Sequence, residues 1–213
     1  MRLIVIFLSL YATGVITCLA QSSLSKNRFG LTGGLNASQI QQSTTPSHLL
    51  WRYNAGVTFE RSFSSDLGLS YGLIYSRQGN TNKVTGSVGD DKIITSVDYL
   101  NLPIMLRVRP KTERVFIEIG GQIGYLLSGD SYFASSKNQS SDLRHTHHFD
   151  VGPTGGVGYR LGTHFVVDLR YYYGTQPILA NYTASDPLTG VSTYYNVVKW
   201  YNRVYFLNLS YYL

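Results

Sequence analysis

The last fourteen residues of the chain alternate between two faces, and this alternation constrains the fold more than any other feature. In steps of two from the end, one face is apolar or aromatic: Leu213, Tyr211, Leu209, Leu207 and Tyr205. The other face is mixed and carries Asn208 and Ser210 in its middle. A period of two is that of a β-strand with one face in an apolar medium and the other in a wetter one.

The first twenty residues predict a signal peptide. Arg2 provides a minimal positive start, an apolar run extends from Leu3 to Ile16, and Ala20 precedes Gln21 at a plausible cleavage point. The alternative is a transmembrane anchor, which fits less well because polar residues interrupt a short run. Residues 1–20 are therefore predicted as the signal peptide and residues 21–213 as one barrel domain.

The composition favours a membrane barrel over a soluble domain. Charged residues make up 14% of the chain, against about 25% in a typical soluble domain. The chain also holds 18 Tyr, 9 Phe and 21 Gly, which suits aromatic girdles and a crowded interior. Cys18, the single cysteine, lies inside the predicted signal; a lipoprotein signal that uses it fits poorly after Thr17.

The net charge of +6 comes from scattered basic residues rather than from a basic stripe with interleaved aromatics. This distribution argues against a nucleic-acid partner. A mild attraction to anionic lipopolysaccharide remains compatible with it, so outer-membrane lipid and lipopolysaccharide are the predicted surroundings.

Eight segments have strand character, and their connections alternate in length. The predicted strands lie near residues 28–39, 50–61, 66–79, 93–109, 114–128, 148–161, 164–176 and 200–213. The three tight connections are residues 62–65, 110–113 and 162–163, and the four longer ones are residues 40–49, 80–92, 129–147 and 177–199. Transmembrane barrels have short periplasmic turns and long outer loops. We therefore predict an all-β fold, a closed eight-stranded antiparallel transmembrane β-barrel of the outer-membrane type.

The facing of the strands predicts which polar residues enter the lumen. A charge facing lipid at mid-bilayer costs roughly 2–4 kcal/mol, so the charged side of each strand should face inward. The predicted lumen polar network comprises Arg52, Glu60, Arg107, Glu118, Asp168 and Arg170. Paired charges that plug the barrel are one interpretation, and a selectivity filter is the other. The narrow interior of an eight-stranded barrel favours the plug.

Pro103 stands in the middle of a predicted strand. Proline lacks the N–H that a ladder needs, and every strand of a closed barrel is central. We therefore predict a β-bulge at Pro103, with a binding kink as the weaker alternative.

The third long loop contains the residues that most resemble a chemical site. His145, His147 and His148 lie near Asp142 and Asp150, a set whose donors suit zinc or copper. With Ser140 and Ser141 it also offers the components of a Ser/His/Asp hydrolase. No spacing fixes a base beside a nucleophile, and a loop lacks the shell of supporting contacts that metals need. A solvated polar loop is the preferred interpretation, so no metal, cofactor or enzymatic activity is predicted.

Several stretches resemble the PorT-like outer-membrane barrel proteins of Bacteroidetes. Residues 97–107 read VDYLNLPIMLR, which is similar to the family's YLxIPLLLK pattern, with Asn101 where an acidic residue is common and Arg107 where Lys is common. Further similar stretches are FGLTGGLN at 29–36, FIEIGG at 116–121, GGVG at 155–158 and LRY at 169–171. The resemblance implies an eight-stranded barrel in the outer membrane of a Gram-negative bacterium. It also implies that secretion of surface proteins is one possible process, and it provides no catalytic residues.

These observations predict a structural or interaction component of the cell envelope with a filled lumen, and an accessory role in protein secretion is one candidate. The alternative is a small pore or transporter for ions or apolar solutes. An envelope protein is a possible partner. The face Tyr205, Leu207, Leu209, Tyr211 and Leu213 is interpreted as the C-terminal insertion signal that the barrel-insertion machinery reads.

Overall fold

The computed structural model describes most of the chain beyond residue 25. The described residues are 26–42, 48–86, 89–110, 114–135, 140–142, 147–178, 182–185, 192–195 and 200–213. The predicted signal peptide lies outside them. Across these ranges no helix is long and apolar enough to cross a membrane.

Eight antiparallel strands close into a ring. The strands of the ring are β1 (Lys26–Gln42), β2 (His48–Ser62), β3 (Leu67–Gly86), β4 (Gly89–Val108), β5 (Val115–Phe133), β7 (Phe149–Leu161), β8 (Phe165–Tyr173) and β11 (Trp200–Tyr212). Each pairs with its sequence neighbours in the ring, β1 pairs with β11, and β4 pairs with β5. The predicted closed eight-stranded barrel is therefore confirmed.

Three short strands lie outside the ring. Strand β6 (Ser140–Asp142) adds to the end of β5, and β9 (Tyr182–Ser185) pairs with β10 (Ser192–Tyr195) as a separate hairpin. All three fall in connections at the end of the barrel opposite the short turns. By the rule that short turns are periplasmic, this is the outer end.

Two strands run far past the length that a membrane requires. Strands β3 and β4 contain 20 residues each, whereas 9–11 tilted residues cross the apolar layer. Their ladder continues from Gly79↔Ser96 to Gly86↔Gly89, and β5 follows β4 as far as Phe133. We call the outer parts of β3, β4 and β5, together with β6, the outer extension. The predicted loop at 80–92 is wrong for the described residues, because residues 80–86 and 89–92 continue the β3–β4 hairpin.

The alternation of the strands sorts side chains as predicted. On β2, Trp51, Tyr53 and Phe59 are exposed, whereas Asn54 and Glu60 are buried. The same alternation on the other strands forms an outward belt of Leu, Ile, Val, Phe and Tyr. Such a belt fits the apolar layer of a membrane. Tyr171, Tyr173 and Tyr211 are exposed and suit an aromatic girdle, whereas Tyr172 and Tyr212 are buried.

The predicted bulge at Pro103 is wrong. The β3–β4 register is the same on both sides of it, with Tyr71 opposite Ile104 and Ile74 opposite Asn101. The β3–β4 ladder lacks two pairs at Pro103, and this gap accommodates the missing N–H of the proline. No extra residue is inserted in either strand.

The principal bulge lies instead in β2. Leu49 pairs with Asn80 and Asn54 with Ser76, so five steps along β2 match four along β3. Beneath it, the Ser38 hydroxyl accepts a hydrogen bond from the Gly79 N–H at 2.8 Å and donates to the Gly79 carbonyl at 2.9 Å. Gly79 has a φ of +149°, a conformation that glycine adopts without strain. The bulge therefore lifts β2 from β3 near the outer end of the membrane belt.

Candidate functional site

Arg107 lies at the centre of the lumen and is fully buried. Its Nη1 donates to Glu60 Oε2 at 2.6 Å, and its Nε and Nη2 donate to Glu118 Oε1 at 2.8 and 2.5 Å. Its guanidinium carbon also lies 4.0 Å from the ring centroid of Phe116. One arginine thus joins β2 to β4 and β5 through charge-assisted hydrogen bonds.

Glu60 accepts hydrogen bonds from two further arginines. Arg109, just after β4, donates to Glu60 Oε1, and Arg160 of β7 donates to the same oxygen at 3.0 Å. Arg160 comes from the opposite side of the ring, so Glu60 bridges strands that are not neighbours in the sheet.

The chain of charges continues from Glu118 into β8. Arg170 Nε lies 3.1 Å from Glu118 Oε2 and 2.6 Å from Asp168 Oδ1. Asn208 of β11 donates to Asp168 Oδ1 at 2.8 Å. Four arginines and three carboxylates from five strands and the residue after β4 therefore meet in one cluster. We call it the lumen network: Glu60, Arg107, Arg109, Glu118, Arg160, Asp168 and Arg170.

Five of the six residues predicted for the lumen belong to this cluster, and Arg52 does not. Arg52 Nη1 donates to the Trp51 carbonyl at 3.2 Å, and its side chain lines an outward groove. Arg52 therefore lies outside the lumen network, although the register of β2 against β1 is unbroken there and pairs it with the buried Asn36.

Sequence reasoning missed Arg109 and Arg160. Both follow the period-2 alternation that identifies inward residues, since Arg109 stands two residues after Arg107 and Arg160 stands two residues after the inward Gly158. They were overlooked because they lie at the strand ends, where the predicted alternation ends.

A small polar cavity of about 10 Å³ lies above the lumen network. Asn54, Asn101, Gln122 and Asn208 line it, and each has a buried side-chain atom with no hydrogen-bond partner. A space of this size holds one water molecule at most. It is therefore a hydration site rather than a channel.

Apolar layers close the lumen on both sides of the polar centre. Phe116, Val166 and Tyr212 cluster at the inner end, where the guanidinium of Arg28 lies 4.6 Å from the Tyr212 ring centroid. Nearer the outer end lie two clusters: Tyr172, Val204 and Phe206, then Ile40, Val97, Tyr99, Leu126 and Ile178. Ile178 follows β8 and folds into the mouth, with its carbonyl accepting from the His147 N–H at 2.8 Å.

The loop residues considered for metal binding or hydrolysis are not brought together where they are described. His148 is exposed and stacks on Tyr125 at 5.9 Å between ring centroids, while Asp150 is buried and accepts from Asn202 at 2.9 Å. His145 and the side chains of residues 140–142 lie outside the description. Among the described residues no three His, Cys, Asp or Glu converge as metal ligands.

The residues predicted as the insertion signal are all exposed, four of them on β11 and Leu213 directly after it. The exposed members of this face are Tyr205, Leu207, Leu209, Tyr211 and Leu213. Their register against β1 and β8 is regular, with Leu209 opposite both Gly33 and Val167. They contribute to the apolar belt; recognition by the insertion machinery stays a prediction.

Residues 19–180 match the family described as the outer membrane protein beta-barrel domain, and the chain belongs to this family. No curated protein sequence matches it. Its fold is similar to solved structures of Ail, the attachment invasion locus protein of Yersinia pestis, and of Neisserial surface protein A. The chain is 16% identical to Ail, with a TM-score of 0.50 and coverage of 88% of this chain and 99% of Ail. For the Neisserial protein the values are 10%, 0.54, 86% and 96%.

At these identities the two structures support the fold alone. The family and the outward apolar belt together make the protein a β-barrel of the Gram-negative outer membrane.

Proposed function

We propose that this protein is a closed barrel that acts through its outer face, as a structural or interaction component of the cell envelope. The observation that carries the proposal is the lumen network, in which Arg107 joins Glu60 to Glu118 across the interior. A buried ion pair of this kind opposes opening, because separating it leaves charges without partners in a dry space.

The packing around the network supports the same conclusion. A cavity of about 10 Å³ above it has no room for a hydrated ion. Ile178 and Tyr99 fill the outer mouth, and Phe116 and Tyr212 the inner end. Solutes that cross must displace both apolar layers and the ion pairs between them.

The outer extension is the proposed interaction surface. About ten residues each of β3 and β4 continue beyond the length that crosses the membrane. Ser135 donates to Asp91 Oδ2 at 2.5 Å, and Thr95 and Ser131 share a hydrogen bond at 3.2 Å. These contacts hold the extension as an ordered sheet, which a partner can recognise at lower entropic cost than a flexible loop.

The competing function is a small pore or transporter for ions or apolar solutes. It requires that Ile178 leave the outer mouth and that Arg107 release at least one carboxylate. A liposome-swelling assay with small sugars and amino acids separates the two functions. We expect no swelling above protein-free liposomes, and swelling that scales with the amount of barrel would contradict the closed lumen.

A more specific proposal concerns the partner protein and the cellular process. We propose, on the resemblance of residues 97–107 to the PorT-like pattern, that the partner is an envelope protein and that secretion is one candidate process. Crosslinking in intact cells followed by mass spectrometry tests this. A stoichiometric envelope partner supports the interaction role, whereas recovery of the barrel alone at low background contradicts it.

The two ends of the chain are proposed to direct export and insertion into the outer membrane. We propose that residues 1–20 direct export and are removed, and that Tyr211 and Leu213 belong to the signal for barrel insertion. No catalytic step, metal or cofactor is part of the proposed function.

A further inference from the structure

We propose that a groove on the lipid-facing wall binds the phosphate of a glycolipid in the outer leaflet, with Arg52 and Arg77 as its ligands. The groove has a volume of about 570 Å³. Its lining residues are Leu35, Trp51, Arg52, Tyr53, Arg77 and Tyr132. The proposal does not depend on whether the lumen conducts.

The β2 bulge creates the groove. One extra residue between Leu49 and Asn54 lifts β2 away from β3, which leaves a depression beside Arg77. Arg52 lies on β2 within the bulged stretch and also lines the groove. The groove beside the bulge is therefore lined by two arginines.

The groove lies at the level of the lipid headgroups. Counted from the inner strand ends, Arg77 is the eleventh residue of β3 and Arg52 the eleventh of β2. A tilted strand crosses the apolar layer in 9–11 residues. Tyr53 and Tyr75, whose ring centroids lie 6.2 Å apart, form the aromatic girdle expected at this level.

Arg77 has donor capacity that the protein leaves unused. Its Nε is buried without a hydrogen-bond partner and lies 3.7 Å from Asp98 Oδ1, too far for a good hydrogen bond. Asp98 instead accepts from the Tyr75 hydroxyl at 2.9 Å and from the Ser128 hydroxyl at 2.8 Å. The carboxylate is satisfied without Arg77, so the guanidinium can turn toward an anion.

Arg52 adds a second positive charge that is not neutralised. Among the described residues it forms no ion pair, and its recorded hydrogen bond goes to the Trp51 carbonyl. The groove thus holds two cations and borders a single carboxylate, which gives it a net positive charge.

A phosphorylated glycolipid has the complementary chemistry. Guanidinium groups bind phosphate through two parallel hydrogen bonds, and they do so most strongly where water is scarce. Trp51 and Tyr53, 64% and 50% exposed, provide an amphipathic surface for the sugar and the upper acyl chain. Because the groove faces lipid, a phosphate anchored in the outer leaflet reaches it at high local concentration, unlike a free phosphate.

The test is native mass spectrometry of the folded barrel in detergent, titrated with diphosphorylated lipid A and with the same lipid after removal of its phosphates. We expect the phosphorylated lipid to bind more tightly, and Arg52→Gln and Arg77→Gln each to weaken its binding about tenfold. Arg61→Gln is the matched control, because Arg61 is exposed at the inner end of β2. Its affinity should equal that of the unchanged protein.

Folding is checked for every variant by its heat-dependent gel mobility. Equal affinity for the two lipids in the unchanged protein contradicts the proposal without any variant. Equal loss in Arg61→Gln and Arg77→Gln also contradicts it, since only general charge would then attract the lipid. Neither result bears on solute passage, so failure here is distinguishable from failure of the closed lumen.

Discussion

Arg107 shows how a charge becomes tolerable at the centre of a membrane barrel. Its guanidinium has four recorded donor contacts, to Glu60, Glu118 and Ser70, and stacks on Phe116. Desolvating an ion costs several kcal/mol, which pairing offsets only where the geometry is good. Removing one partner therefore costs more than removing a pair.

We predict that Arg107→Met lowers the free energy of unfolding by about 3–5 kcal/mol, because Glu60 and Glu118 lose their common partner. The double variant Arg107→Met/Glu118→Leu should recover much of that loss, since Glu60 retains Arg109 and Arg160 and Arg170 retains Asp168. Urea unfolding in lipid vesicles, followed by tryptophan fluorescence, measures both. A double variant less stable than the single one would contradict the pairing.

Adjacent glycines in β1 provide a matched test of barrel crowding. A methyl group on Gly34 would overlap the Leu207 carbonyl oxygen and the Asn208 backbone, whereas on Gly33 its nearest neighbour is the Asn54 carbonyl oxygen at 3.7 Å. We predict that Gly34→Ala destabilises the barrel by roughly 1–3 kcal/mol and that Gly33→Ala is close to neutral. The same urea titration applies, and equal effects at the two positions would show that Gly34 is not constrained by β11.

The lumen residues differ in how far the sequence could predict them. Glu118 and Asp168 follow from alternation alone, because each lies between outward apolar neighbours. Their partners do not follow, because Glu60 meets Arg160 from across the ring and such contacts depend on barrel shape rather than on spacing. Arg52 shows the same alternation but forms no ion pair with the cluster among the described residues, so the alternation alone does not identify its members.

At the scale of the strands, the sequence predicted the membrane-spanning parts well and the outer extension poorly. In the membrane one face must be apolar, which imposes a period of two. Beyond it the membrane no longer imposes an apolar face, and residues 80–92, rich in Asn, Asp, Gly and Lys, have the composition of a loop. Their strand structure, where it is described, comes from the hairpin ladder that runs from Asn80↔Thr95 to Gly86↔Gly89.

The outer extension contains a carboxyl group whose titration reports its order. Hydrogen bonds from the Ser135 hydroxyl and the Lys92 N–H lower the pKa of Asp91 from its ordinary value. A lowered pKa means that these contacts stabilise the extension fully above the ordinary pKa of the carboxyl. The stabilisation is lost as the pH falls through the lowered value.

We predict that Ser135→Ala raises the pKa of Asp91 toward its ordinary value, because it removes the largest contribution to the shift. Carbon-detected NMR of the side-chain carboxyl measures this. Ser64→Ala is the control, since Ser64 accepts hydrogen bonds only from the Asp66 and Leu67 N–H groups among its recorded contacts in the inner turn. An unchanged Asp91 titration in Ser135→Ala would show that the extension is not held by this contact in solution.

At the scale of the whole molecule, three parts of the barrel have different environments and proposed roles. The outward belt meets lipid, the lumen is filled by paired charges between apolar layers, and the outer end carries the extension and the groove between β2 and β3. The sequence predicted the compartment and the ring because the membrane imposes both. It could not predict the partner, because recognition depends on surface shape that no short motif in this chain encodes.

The closed lumen is the central claim, and single-channel recording in a planar lipid bilayer tests it most directly. The purified barrel is inserted at high salt, with a porin of known conductance as the positive control for insertion. The lumen network and the Ile178 cluster predict silence across the full range of applied voltage. A steady, reproducible open state from the unchanged protein would contradict the account and favour a small pore.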